Sequence, residues 1–214
     1  MLDLHIAHDP PSGGVPWKEL LPLAPHLFWA IVALVLLLVI GPATIRALLS
    51  RVTKLSFAGF EFQLQSEIDE AGAARDMPIA PKARNRLARR LARSRHLLEC
   101  VRILWVDDRP VGNAAEMTLL RSLCVTIDFA TSTEEARIRL GAGVYDLILS
   151  DMTRGGQPQA GLALLPDLDA APLRPPIIFY VGAPTPTPEG AFGLTQAPDE
   201  LFHLLLDALE RRRG

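Results

Sequence analysis

The residues best placed to do chemistry are acidic. Asp107 and Asp108 close the run ILWVDD, and Asp151 closes YDLILSD. Both runs are apolar enough to be strands buried on both faces, and residues just beyond the carboxyl ends of parallel strands gather in one crevice. Three carboxylates in such a crevice repel one another unless a cation neutralises them, and ligation by oxygen alone suits Mg2+. The plainer alternative is that Asp107, Asp108 and Asp151 cap strands and helices without metal.

Those acids need a regular scaffold to hold them. Strands are expected over 103–107, 125–130, 145–150 and 177–181, with a weaker one over 192–195. Helices are expected over 114–123, 133–140, 162–168 and 199–211, the second with Ser132 as N-cap and Glu135 at N3. Alternation of strand and helix makes the sheet parallel. The expectation is a small doubly wound, five-stranded α/β domain of flavodoxin-like type over 101–214.

In their order and spacing, ILWVDD, YDLILSD and PPIIFYVG resemble the CheY-like receiver domain of bacterial response regulators, over residues 102–212. The resemblance implies that Asp107 and Asp108 bind Mg2+. It also implies that Asp151 accepts a phosphoryl group from a phosphohistidine of a sensor kinase and contacts the metal. Two switch positions depart from the family. Where receivers carry Ser or Thr after the fourth strand this chain has Val181, which cannot hydrogen-bond a phosphoryl oxygen. Where they carry Lys after the fifth it has Gln196, which lacks the neutralising charge. The intervening stretch holds Pro184, Pro186 and Pro188 and is too short for an ordinary fourth helix. Other readings of the acids fail sooner. A dinucleotide site needs G-x-G-x-x-G where Arg109, Pro110 and Val111 stand, and a dehalogenase-type phosphatase needs D-x-D where the chain reads VDDRP.

The chain has 214 residues, 22 Lys plus Arg against 24 Asp plus Glu, and a hydrophobic fraction of 49% with mean hydropathy +0.21. A disordered protein is excluded. Charge divides unevenly: −2 over 1–45, +6 over 46–102 and −6 over 103–214. Within the first part, 27–45 carries no Asp, Glu, Lys or Arg, and its 19 residues come close to the ~20 that cross a bilayer. The run starts late, follows no basic segment and precedes no A-x-A site, which argues against a cleaved signal. Residues 27–45 are therefore expected to form a single transmembrane helix in the inner (plasma) membrane. Arg46, Arg51 and Lys54 follow it, against Lys18 alone before it, so the positive-inside rule places the N-terminal tail 1–26 outside and the C-terminal domain in the cytoplasm.

Between span and domain, 46–81 is expected to hold a short strand and a linker. Phe60, Phe62 and Leu64 alternate with polar residues at a strand's period of two, and the polar stretch 67–81 reads as linker. Residues 82–100 form a basic amphipathic helix with Leu87, Leu91 and Leu98 on one stripe. It either packs those leucines on the domain or docks on anionic lipid through Arg86, Arg89, Arg90 and Arg93. Nucleic-acid binding is the weakest of its readings. Cys100 and Cys124 read as buried thiols, since two cysteines form neither a disulfide framework nor a zinc site.

The function expected is that of a membrane-anchored, non-enzymatic pseudo-receiver that signals by binding a cytoplasmic protein, a histidine kinase being one candidate. One alternative is a true phosphoacceptor in a two-component phosphorelay, with Asp151 modified. Another is a membrane-tethered homo-oligomeric scaffold built on the strand and basic helix. No output domain is expected after Gly214, which argues against a DNA-binding regulator.

Overall fold

The structure, a computed structural model, describes residues 28–32, 34–35, 59–169 and 174–213. The chain divides into two compact units at Leu55, and residues 59–213 belong to the second.

Five apolar runs become the strands β1 (Arg102–Val106), β2 (Thr126–Ala130), β3 (Leu147–Ser150), β4 (Ile177–Tyr180) and β5 (Gly193–Thr195). They form one sheet in the order β2-β1-β3-β4-β5, with every pair parallel. That order reverses beside β1, the switch point where α/β sheets bind ligands. Register aligns the carboxyl ends, Val106 lying beside both Ala130 and Ser150.

Strand periodicity of two sorts the side chains into two cores. On one face Ile103, Trp105, Leu147, Leu149, Ile178 and Tyr180 pack against α4 (Ala114–Ser122) and α7 (Pro198–Arg213). On the other Leu104, Val106, Ile148, Ile177 and Phe179 meet α5 (Thr133–Ala142) and α6 (Leu165–Asp169). The N-cap of α5 forms as expected, Ser132 Oγ accepting from Glu135 N at 3.1 Å. Glu135 accepts in turn from Thr131 N and pairs with Arg139, and these contacts hold its carboxyl down at about 2. No helix forms between β4 and β5.

The segment before the sheet corrects the sequence reading. Residues 59–74 form a helix, α1, where a strand at 60–65 and a linker from 67 were expected. Phe60, Leu64, Ile68 and Ala71 recur at helical spacing, and the last three are buried, while Phe62 is 74% exposed. Two periods coexist over six residues, and packing against the domain selects the longer one. The chain then folds back tightly at Gly72, where a Cβ would lie 2.8 Å from the Met77 carbonyl. α2 (Pro81–Arg93) opens on a proline, whose missing N–H costs nothing there, and the short α3 (Arg95–Leu98) follows. The basic stretch is thus two helices broken at Ser94 and not one.

Leu87 and Leu91 of α2 enter the same core as α1, α4 and α7. Arg90 is ion-paired with Asp207 and Glu210 of α7, so of the four arginines expected to meet lipid it is already engaged, whereas Arg86, Arg89 and Arg93 are exposed. Both cysteines are exposed, not buried. Each follows a helix end in the left-handed region, Cys100 at φ 65° and Cys124 at φ 64°. After α4 the N–H groups of Cys124 and Val125 reach back to the Arg121 and Leu120 carbonyls, a Schellman cap that turns Cys124 outward.

Of the span expected over 27–45, residues 28–32 and 34–35 are helical and the rest lies outside the described residues, as does the tail 1–26. Among the described residues no helix is long and apolar enough to cross a membrane.

If α1 belongs to the core, Ile68→Ala leaves a cavity and costs about 2–5 kcal/mol, whereas Phe62→Ala changes stability by less than about 0.5 kcal/mol. Denaturant unfolding of both variants checks this. Equally small effects would restore the linker reading.

Candidate functional site

The aligned carboxyl ends of β1 and β3 bring the expected acids together. The Asp107 N–H donates to Ala130 O and the Asp151 N–H to Val106 O, both at 2.9 Å, which extends the ladder one residue past the strands. Asp107, Asp108 and Asp151 each place a carboxylate oxygen within 4.8 Å of the others. Asp107 is 9% exposed, and the other two are half-buried.

Each acid is oriented by donors of the chain. Asp107 Oδ1 accepts from Arg109 N at 2.7 Å, and its Oδ2 from Asn113 Nδ2 at 2.6 Å. Asp108 Oδ2 accepts from Gly155 N at 2.8 Å, while its Oδ1 is buried without a hydrogen-bond partner. Burial raises the Asp151 carboxyl above the ordinary aspartate range. Backbone N–H bonds from Thr153 and Met152 oppose that rise, and the charges of Asp107 and Asp108 add to it. A divalent cation fits this donor set: three carboxylates converge, and Asp108 Oδ1 accepts no hydrogen bond and has only the exposed Arg109 guanidinium 3.8 Å away.

Sequence reasoning missed Arg154. This guanidinium is 4% exposed and donates to four oxygens: Ser150 Oγ at 2.7 Å, Asp151 O at 2.6 Å, Thr133 Oγ1 at 2.9 Å and Ala160 O at 3.0 Å. Burial lowers its pKa, and the carboxylates of Asp151, Asp107 and Asp108 oppose that fall. It pins the loop after β3 and offsets part of the acids' charge. An arginine four residues past a strand reads as solvated, and the loop's return at Gly161, 3.0 Å from N to Met152 O, encloses it. A cavity of about 260 Å³ opens between Arg154, Asp108 and Ser132.

Missed as well was Arg75, which follows α1. It donates to Asn113 Oδ1 at 2.6 Å and Val181 O at 3.3 Å, lies 3.2 Å from Glu116 Oε1, and stacks 3.6 Å over the Tyr180 ring.

Val181, at the switch position after β4, is buried, gives its N–H to Thr195 O and offers only its carbonyl to Arg75. Gln196, half-buried, follows β5. The nearby hydroxyls are spent or remote: Thr195 Oγ1 donates to Glu200 at 2.5 Å, and Thr185 Oγ1 to its neighbour Ala183 O. Thr187 is exposed on the loop between β4 and β5.

Strand order and acid placement together define a receiver-like α/β domain. Comparison with solved structures finds the following similarities. The anti-anti-sigma factor PhyR from Bartonella quintana is 21% identical, over 60% of this chain and 58% of that one, at a TM-score of 0.46. Response regulator TrrA from Thermotoga maritima, in complex with Mg2+ and BeF, is 24% identical over 50% of this chain and 98% of that one, at 0.45. Chemotaxis response regulator CheY4 of Vibrio cholerae is 19% identical over 53% and 98%, at 0.42. Among curated proteins, a gliding motility regulatory protein of Myxococcus xanthus is 38% identical over 52 residues, which are 24% of this chain and 7% of that protein. No protein-family model matches the chain.

Because the folded state holds the Asp151 proton more tightly than the unfolded chain does, ionising this group costs stability. That cost is absent below the unfolded value of 3.8, grows as pH rises through the raised folded value, and is complete above it. Asp151→Asn is therefore expected to stabilise the metal-free protein near neutral pH by about 1 kcal/mol, the size of one screened like-charge contact at ~4 Å. The gain should vanish at low pH, and thermal melts across pH in chelator check both statements.

Proposed function

We propose that this chain is a membrane-anchored pseudo-receiver: a receiver-like module that takes Mg2+ at Asp107, Asp108 and Asp151 and signals by binding a cytoplasmic protein, with a histidine kinase as one candidate. The observation that carries this reading is the asymmetry of the site. What supports the cation side is three converging carboxylates and an Asp108 oxygen that accepts no hydrogen bond. The phosphoryl-stabilising side is not, since Val181 presents a carbonyl engaged by Arg75, and Arg154 is committed to four oxygens of its own loop.

Bound Mg2+ would neutralise the three acids and orient an incoming phosphoryl group. The chain's own part is to hold Asp107 and Asp108 by Arg109 N, Asn113 and Gly155 N, and to keep Asp151 half-buried behind Gly161. A missing preorganised donor is worth about 2.7–4 kcal/mol in transition-state stabilisation, a factor of roughly 10²–10³ in rate. Slow or absent phosphorylation of Asp151 follows. The chain from Val181 to Phe192 also has no helix to move in response.

The anchor in this reading is the span 27–45, with N-terminus outside and domain inside, and exposed Arg86, Arg89 and Arg93 are the residues left to meet anionic lipid. The oligomeric scaffold loses one of its two supports, the strand, and keeps the basic helix. Its pairing strand at 60–65 is helical, and Leu64 is spent on this chain's own core.

Two measurements test the proposal. Intact-mass analysis after acetyl phosphate with Mg2+ is expected to show little modification on a timescale that labels an active receiver fully. Rapid stoichiometric labelling, lost in Asp151→Asn, would establish the phosphorelay alternative instead. For topology, a reporter active outside the cytoplasm should work when fused at residue 26, and a cytoplasmic one after Gly214. Reversal of both removes the domain from any cytoplasmic partner.

A further inference from the structure

Arg75 lies outside the α/β sheet, yet it is built into the acid site. It holds only donors, so Asn113 must turn its oxygen towards Arg75 and its NH2 towards Asp107. The observed chain runs from the Arg75 guanidinium through the Asn113 amide, itself 2% exposed, to Asp107 Oδ2, with both steps at 2.6 Å. Asn113 Nδ2 occupies one lone pair of that oxygen and leaves it a second. A flipped amide would aim its oxygen at the carboxylate and push Asp107 out of position. The direction of one amide thus bears on how Asp107 is set to take a cation, and Arg75 and the Asp107 carboxylate fix that direction together.

The guanidinium's own charge would oppose a cation. Glu116, fully buried, lies 3.2 Å from Arg75 Nε and accepts from Tyr180 OH at 2.6 Å. At the acid site the Arg75–Glu116 pair is therefore close to neutral, and its field falls off as a dipole's. Orientation is the effect that remains.

Resting on the Mg2+ reading above, we propose that Arg75 is a positioning residue through which α1 and the acid site are thermodynamically linked. With α1 docked, Asp107 is preorganised and binds the cation more tightly. By reciprocity the bound cation holds α1 down by the same factor. One charge-assisted hydrogen bond sets that factor at about tenfold. A displacement of α1 would therefore be felt at the metal, and metal loading would be felt by α1.

The test uses the full chain in detergent, with calorimetry for Mg2+ and hydrogen exchange for the amides of 59–74. Wild type should bind Mg2+ and gain about tenfold protection over 59–74. Asn113→Ala keeps all three carboxylates and the Arg75–Glu116 pair but cuts the relay. It should bind Mg2+ about tenfold more weakly and show no Mg2+-dependent protection of α1. Arg75→Lys keeps the charge beside Glu116 but cannot span Asn113 and Val181 together, and should behave in the same way if Asn113→Ala fails to fold. Mg2+ binding by wild type with unchanged exchange over 59–74, or equal protection in the relay variants, overturns the linkage alone. No Mg2+ heat in wild type overturns the metal reading and the linkage with it.

Discussion

Three negative charges crowded at one end of a sheet are the constraint around which the rest of this domain is arranged. The sheet register makes the crowding unavoidable, because extending β1 and β3 by one residue each puts Asp107 and Asp151 side by side. Water alone cannot relieve it, since Asp107 is buried and Asp151 half-buried. The surrounding chain answers with backbone N–H groups from Arg109, Gly155 and the residues after Asp151, and with the amide of Asn113. Arg109 N, Asn113 and Gly155 N each fix one carboxylate oxygen. A site that tolerates its own repulsion in this way keeps free energy in reserve for whatever neutralises it.

Two arginines sit around that repulsion and act differently. Arg154 is swallowed by the loop it organises, so its charge is a fixed part of the background field and its donors are unavailable to a ligand. Arg75 reaches the site from outside the sheet, through contacts that also hold Glu116 and the ring of Tyr180. Removing either partner of a buried pair leaves the other charge uncompensated, at about 3–5 kcal/mol. Glu116 on α4 therefore needs the segment before the domain to be present. Together with Leu64, Ile68, Leu87 and Leu91 in the shared core, this makes α1 and α2 structural parts of the unit and not a tether to it.

Beyond β4 the chain is irregular. Where a helix would lie between β4 and β5 there is a proline-rich connection, and Val181 closes β4 with an apolar side chain buried in the core beneath. α1 lies on the other face of the sheet.

Several features were legible from the chain alone, because each depends on local physics. Apolar runs bounded by turn residues give strands whatever their neighbours do, and alternation with helices makes the sheet parallel. The acids end β1 and β3, so their convergence follows from strand polarity without knowledge of any side-chain contact. Ser132 and Glu135 form their cap because both partners lie within one turn. What the tertiary structure alone decided concerns residues whose partners are distant in sequence. The stretch 60–71 carries both a period of two and a period near 3.6, and only a core waiting on α4 and α7 selects the helix. Arg75 and Arg154 look like ordinary solvated charges until Asn113, Glu116 and Ala160 are brought beside them from 38, 41 and 6 residues away. Cys100 and Cys124 look like core residues until a helix end turns them out to solvent. A short-range pattern specifies an element, but which charges become buried partners is fixed only when the elements pack, since burial is a property of the whole fold.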